Sequence, residues 1–255
     1  MRWDPRQYSR YADERGRPFL DLVGRIGADA PSRVVDVGCG PGTLTALLAA
    51  RWPSASITGL DSSAEMIASA APLASPRLRF EVGAAESFSA AGVDVLVSNA
   101  TLQWVPTHRD LLRRWAAELP SGGWLAFQVP GNFAAPSHAL MRSLASSPRW
   151  ADRLGGVLRH DDAVDGPEQY ARLLLDAGLS VDAWETTYLH RLTGADPVLE
   201  WVRGTGLRPV LQALAPDDAA EFESEYAAGL REAYPATAHG TFLPFRRVFA
   251  VASKP

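Results

Sequence analysis

The strongest constraint on the fold is an alternation in the first half of the chain. Short β-branched or apolar runs fall at Arg33–Val37, Ser56–Leu60, Leu78–Val82, Val93–Ser98 and Trp124–Val129, with helix-like stretches at Leu44–Arg51, Ala64–Ala70 and Asp110–Leu119 between them. Strands that are apolar almost throughout and bounded by turn residues suit a parallel sheet covered on both faces. Repeated strand–helix units then predict a doubly wound α/β sheet with right-handed crossovers. The stops agree: Pro53 follows Arg51-Trp52, and Pro120-Ser-Gly-Gly123 separates a helix from the next strand.

After Val129 the rhythm changes. Pro130-Gly-Asn132 breaks the chain, 136–147 reads as a helix, 155–166 as a loop, and 168–177 as a helix stopped by Gly178. Alternation predicts strands over 183–192 and 241–252. Between them, 196–234 is helical in character but broken at Gly204, Gly206, Pro209 and Pro216. It reads as a helical cap inserted between the last two strands, at about 195–235, too short and too broken to stand as its own domain.

Composition removes several chemistries. Of the 25 basic residues only Lys254 is a lysine; the other 24 are arginines. Schiff-base, pyridoxal-phosphate and P-loop chemistry each need a lysine in an ordered site, so they are disfavoured. A net charge of −4 without basic clusters argues against nucleic acid as a partner. Cys39 is alone, which excludes an intrachain disulfide and a cysteine-built zinc site. The polar opening lacks the apolar stretch of a signal peptide, and no apolar run approaches the roughly 18 residues needed to span a bilayer. A cytoplasmic monomer with no membrane partner is the expectation.

The most informative stretch is Val34-Val-Asp36-Val-Gly38-Cys39-Gly40-Pro41-Gly42-Thr43. An apolar strand ends in an acid, and a glycine-spaced turn opens a helix, at the place where doubly wound sheets bind nucleotides. The spacing is G-x-G-x-G, with Thr43 where a dinucleotide fold would want its third glycine, which disfavours a nicotinamide oxidoreductase. Pro41 removes an N–H donor. Asp36 would repel a pyrophosphate and favour a cation, so the loop suits a positively charged nucleoside without phosphate. Asp61, 19 residues beyond Gly42 at the end of the second strand, is placed to accept ribose hydroxyls. An acid there can also be no more than a helix cap.

These residues, with Asn99-Ala-Thr-Leu-Gln-Trp104 after the fourth strand, resemble the class I S-adenosylmethionine-dependent methyltransferases. Trp3-Asp-Pro-Arg-Gln-Tyr8, Thr186-Thr-Tyr188, Glu200-Trp-Val202 and Thr205-Gly-Leu-Arg-Pro209 are similar, more specifically, to trans-aconitate 2-methyltransferases. The resemblance implies a single Rossmann-like domain over 1–255: a seven-stranded, mostly parallel sheet with helices on both faces. Residues 1–30 would be an N-terminal lid or helix, 31–130 the cofactor-binding core, and 131–255 the substrate side. It implies that Asp36, Gly38, Cys39, Gly40 and Gly42 cradle the methionine part of S-adenosyl-L-methionine, leaving S-adenosyl-L-homocysteine after transfer. Asp61 would hold the ribose, Ser62 and Met66 would lie along the adenine, and the backbone carbonyl of Asn99 would meet the ammonium. The acid usual after the third strand is missing: Ala84 stands there, so adenine falls to Glu86 or to backbone groups of Ala84 and Ala85.

The reaction implied is esterification of a carboxylate of trans-aconitate, or a close polycarboxylate, to its monomethyl ester. A carboxylate of pKa about 4 is already ionised at neutral pH, so no general base is required and the enzyme acts by positioning. Arginine is the apt cation, since its fork matches a carboxylate bidentately. Candidate contacts are Tyr8, Gln103, Trp104, Asn132, His138, Tyr188, Trp201, Arg208 and Arg246, with Arg208 foremost because it sits in a Gly-Leu-Arg-Pro turn. Tyr11 joins Tyr8 as a possible lid. Plain alternatives stand beside them: the tryptophans as packing residues, Arg246 and Arg247 as solvated charges. Other readings are a methyltransferase acting on an amine, phenol or carbon acid, and a non-catalytic nucleoside-binding module. His160-Asp161-Asp162 reads as a solvated loop and no metal is expected. The helix start at Cys39 could lower its pKa.

Overall fold

The computed structural model describes residues 12–159 and 161–255. Seven strands, β1 (Arg33–Val37), β2 (Ser56–Asp61), β3 (Leu78–Val82), β4 (Val95–Asn99), β5 (Trp124–Pro130), β6 (Ser180–Leu192) and β7 (Thr241–Ser253), form one sheet in the order β3-β2-β1-β4-β5-β7-β6. β1 to β5 pair in parallel, and β7 runs antiparallel to β5. The order reverses at β1, which makes the C-terminal ends of the paired strands β1 and β4 the switch point at which doubly wound sheets bind ligands.

The central strands β1, β4 and β5 are buried along nearly their whole length. That is what their unbroken apolar runs require, because a strand covered on both faces has no solvent side to make polar. The mostly parallel sheet with helices on both faces is therefore the expected architecture, and most strand bounds agree with the periodicity to within one or two residues. The helices of this part are α1 (Ala12–Val23), α2 (Thr45–Arg51), α3 (Ala64–Ala70), α4 (His108–Glu118) and α7 (Pro167–Asp176); α5 (Pro136–Ala145), α6 (Ala151–Leu154), α8 (Pro197–Arg203), α9 (Arg208–Ala213) and α10 (Pro216–Ala233) complete the set among the described residues. Lys254 has a structural duty. Its Nζ donates to the carbonyls of Ala116, Ala117 and Leu119, a cation at the C-terminal end of α4.

The chain divides into two compact units. The first takes the described residues up to Pro130, with 165–186 and 247–255; the second takes 131–164 and 187–246. The second unit thus includes more than the insertion at 195–235. Within it α5 packs on α10, where the Tyr226 hydroxyl donates to the Ser137 carbonyl at 2.8 Å and Trp150 meets Phe222 edge-on. Arg208 is the clearest local departure from the sequence reading. It opens α9 instead of sitting in a turn, since Pro209 falls at the first turn of a helix, where its missing N–H costs nothing.

Candidate functional site

β1 runs out at Asp36-Val37 and turns through 38–42 toward α2. The N–H groups of Gly38 and Cys39 both donate to the Leu60 carbonyl, at 2.7 and 3.0 Å, which clamps the turn to the end of β2. Gly38 has φ +81°, and a Cβ there would run into the Thr101 side chain, so only glycine fits. At Gly40, φ +55°, an added Cβ would meet nothing within 4 Å, because the residue faces a cavity. Gly42 backs onto Phe80 and Ala70 and lines neither cavity of this region.

Two cavities flank the turn. The larger, about 300 Å³, is lined by Gly40, Asp61, Ser62, Met66, Asn99 and Trp104, with Glu86 and Ala85 also on its wall. The smaller, about 30 Å³, is lined by Asp36, Cys39, Thr43 and Asn99. Among the described residues, Asp36, Asp61 and Glu86 are the acids of these walls, and no lysine or arginine lines either one. The turn therefore does not fit a pyrophosphate, whose charge the three acids would oppose, and it does fit a cationic nucleoside.

Asp36 is 2% exposed. Its Oδ2 accepts from the Thr45 hydroxyl at 2.7 Å, while Oδ1 has no hydrogen-bond partner among the described residues. Burial pushes its carboxyl up to about 7, the Thr45 hydrogen bond opposes this, and the nearby Asp61 adds to it. A buried carboxylate with one bare oxygen beside a cavity is an energetically costly group that a bound cation relieves. Asp61 is half-buried at the end of β2. Its Oδ2 accepts from the Gly40 N–H and its Oδ1 from the Ser63 N–H, both at 2.9 Å, which leaves a lone pair on each oxygen for further donors. Ser63 in turn caps α3 by accepting from the Met66 N–H. Cys39 departs from expectation. Burial, then Asp36 and Asp61, push its thiol well above the usual range, so it is a packed, inert side chain despite its place at the turn.

The wall opposite is made by the end of β4. Asn99 faces both cavities, and Ala100 has φ +54°, a left-handed conformation that a non-glycine residue adopts at a cost. Gln103 helps to hold that turn: it is 4% exposed and its amide donates to the Ala100 carbonyl, so it supports the wall from behind and does not line the cavity. Trp104 does line it. Ala84 is off the wall, whereas Ala85 and Glu86 are on it.

The second unit has a groove of its own, about 650 Å³, lined by Asn132, Pro136, Tyr234, Phe242, Pro244 and Arg246 among others. Among the described residues, Arg246 is the one cation of that lining, and no acid is part of it. Asn132 is spent structurally: its Nδ2 donates to the Arg246 carbonyl and its Oδ1 accepts from the Arg246 N–H, each at 2.8 Å. His138 pairs with the Ser137 hydroxyl, and burial, helped by Arg142, lowers it to about 4. It is therefore neutral at physiological pH and offers a hydrogen bond, with no charge. Tyr188 and Trp201 are buried in an aromatic cluster, with the His190 ring 4.6 Å from Trp201 and Phe245 at 5.5 Å. Arg208 is half-buried at the start of α9. Tyr8, Tyr11 and His160 lie outside the described residues, so the lid expectation does too.

Sequence reasoning passed over Thr45, Thr101 and Gln128, and its alternative of a solvated Arg247 is corrected: that residue is buried and donates to Gln128. Thr45 carries a weak signal, a hydroxyl in the first turn after the glycines, but nothing linear pairs Gly38 with Thr101 or Gln128 with Arg247.

A family described as "Methyltransferase domain" matches residues 8–183. A trans-aconitate 2-methyltransferase of Streptomyces avermitilis is 58% identical over 99% of this chain and 97% of that one. Another, of Streptomyces coelicolor, is 59% identical over 99% and 87%. Among solved structures, the YcgJ protein of Bacillus subtilis superposes with a TM-score of 0.62 at 14% identity, covering 93% of this chain and 98% of that one, a likeness of fold.

Proposed function

The chain belongs to the trans-aconitate 2-methyltransferase family, within the methyltransferase-domain proteins, and on that premise we propose how its residues divide the work. It is an S-adenosylmethionine-dependent methyltransferase that esterifies a carboxylate of trans-aconitate. The observation that carries the reading is the charge of the first unit's cavities: among the described residues, three acids and no base, with a glycine turn open to the ligand.

When bound, the cofactor supplies a methyl group on a sulfonium, an electrophilic carbon that an ionised carboxylate oxygen can attack, the C–S bond breaking as the C–O bond forms and the sulfur leaving as a neutral thioether. The chain's own residues hold and exclude. Gly38 and Gly40 let the turn's backbone approach the methionine part, and the bare Oδ1 of Asp36 gives its positive charge a counter-charge. Asp61 accepts from the ribose hydroxyls with the lone pairs that Gly40 and Ser63 leave. Ser62, Met66 and Ala85 border the adenine, and Glu86, on the wall where Ala84 is not, takes the amino group. Trp104 closes the cavity with a bulky apolar face. In the second unit, Arg246 and Arg208 are the cations for the acid's carboxylates.

No general base is assigned. His138, held near 4, is too weak a base to activate a phenol or an ammonium at neutral pH, which supports an acceptor that is already ionised. The test is transfer from methyl-labelled cofactor to trans-aconitate, with the ester identified by mass spectrometry. Turnover of some other acid, amine or phenol with none of trans-aconitate would sink the reading.

A further inference from the structure

The geometry points to the side-chain amide of Asn99 as the N–H donor that orients the acid's reacting carboxylate, aimed by Gln128 and Arg247 as positioning residues. This rests on the methyl-transfer reading above, and it assigns a role to Asn99 beyond its backbone carbonyl.

The argument is one of forced polarity along a chain of three side chains, all in the first unit. Arg247 is only 5% exposed, and its Nη1 donates to Gln128 Oε1 at 3.2 Å. A guanidinium can donate but never accept, so the oxygen of the Gln128 amide must face it and the nitrogen must face away. That nitrogen donates to Asn99 Oδ1 at 3.0 Å. Gln128 is fully buried, so it has no water to turn towards. The same rule then applies once more. With Oδ1 of Asn99 engaged by a donor, its Nδ2 must point onward, and among the described residues it donates to none. Asn99 lines both cavities, as Gly38 and Gly40 do, and among these three it alone brings a side chain: one cavity is bordered by Asp61 and Met66 and the other by Asp36 and Cys39. An N–H donor is thus presented at the junction of the two, on a wall otherwise charged against anions.

The sheet builds this chain through its register. Asn99 on β4 lies opposite Gln128 on β5, and Arg247 on β7 lies opposite Pro130, two residues further along β5. Aligned donors polarise one another, so the positive charge of Arg247 strengthens the Asn99 N–H without approaching the ligand. That separation suits the chemistry. The attacking oxygen loses negative charge as the new C–O bond forms, so a guanidinium directly on it would hold the ground state more tightly than the transition state and slow the step. A polarised amide fixes direction with less of that penalty.

Two isosteric variants reverse the polarity. Asn99→Asp still accepts from Gln128 but turns an acceptor oxygen to the cavity. Gln128→Glu accepts from Arg247 and obliges Asn99 to donate back to it, with the same result by a different route. For each, kcat and KM for trans-aconitate are measured, together with the cofactor's Kd by calorimetry and the melting temperature. Expected is a loss of about 100-fold in kcat/KM for the acid, the scale of one misdirected donor at a reacting centre. The affinity for the cationic cofactor should be unchanged or, in Asn99→Asp, tighter. Arg247→Gln, which removes the charge that forces the order, should lose about tenfold in the same parameter. Unaltered acid kinetics in both isosteric variants would overturn the assignment. So would a parallel fall in cofactor affinity, which would mean that the amide serves the cofactor's own carboxylate or only the packing. If one variant fails to fold, the other still decides. A wild-type chain that methylates no acid overturns the underlying reading itself, whereas an active wild type with fully active variants overturns this assignment alone.

Discussion

Among the described residues, the cavities of the first unit are walled by Asp36, Asp61 and Glu86 with no basic side chain, whereas the groove of the second unit carries Arg246 and no acid. The materials differ as much as the charges. The first unit presents backbone turns, with Gly38, Gly40 and Ala100 at positive φ beside the cavities, and carboxylates held by N–H groups and hydroxyls. The second presents prolines, aromatic rings and an arginine on a scaffold in which Asn132, Tyr226 and Trp201 are all engaged in packing or backbone hydrogen bonds. The contrast teaches that the charges suited to a cation and to an anion are carried by different regions here, the donor proposed for the acid in the first unit being the neutral amide of Asn99. Each region disfavours the other's ligand by charge before any shape is tested.

That separation can be broken or sharpened by four measurements. The largest effect is expected from Gly38→Ala. The added methyl meets the Thr101 side chain in a left-handed backbone, and the variant should lose about 3 kcal/mol of stability or more, read as a falling melting temperature with no measurable cofactor binding. A well-folded, cofactor-competent variant would show that the turn is less constrained than the contact implies. Next, Asp61→Ala should weaken cofactor binding by about 1–3 kcal/mol in calorimetry while leaving KM for the acid nearly unchanged. A rise in that KM as large as the loss of cofactor affinity would blur the two roles.

The third measurement uses pH. The folded chain holds Asp36 protonated up to about 7, while the unfolded chain ionises it near 3.8. Its contribution to stability is therefore complete below about 4 and is lost as pH rises to about 7, and Asp36→Asn should flatten that slope of melting temperature against pH. Cofactor affinity has the opposite sign: a cation prefers the ionised carboxylate, so binding should tighten as pH rises toward 7 and release a proton, seen as buffer-dependent binding enthalpy that vanishes in Asp36→Asn. Equal proton release in the variant would move the effect to another group. The smallest effect is expected in the second unit. Arg208→Lys keeps the charge but loses the fork, and it should raise KM for trans-aconitate several-fold, on the order of 1 kcal/mol, with cofactor affinity intact. Unaltered kinetics would remove Arg208 from the acid's contacts.

What was readable beforehand follows the same division. The turn at 38–42 and Asp61 lie in two short segments whose spacing carries their meaning, so both stood out as candidates and both line the first unit's cavities, apart from Gly42. Asn132, Gln103 and Trp201 were chosen for their chemistry, and the structure shows that chemistry already engaged: an amide on the Arg246 backbone, an amide on the Ala100 carbonyl, an indole in an aromatic cluster. Side-chain type cannot reveal which partner has claimed a polar group. Arg246 and Arg247 look alike in the chain, yet one lines a groove of the second unit and the other lies buried in the first against Gln128.

The sequence by itself determined the parallel sheet, the helices that alternate with it and the position of the nucleoside turn, because period, turn residues and glycine spacing are local and repeat along one dimension. Only the tertiary structure decided that Thr101 closes on Gly38, that Thr45 holds Asp36, that Lys254 caps a helix, and that Arg247 sets Gln128 and Gln128 sets Asn99. Those pairings join residues brought together by sheet register and chain reversal, and a hydrogen bond's direction depends on every donor and acceptor around it, which no stretch of sequence contains.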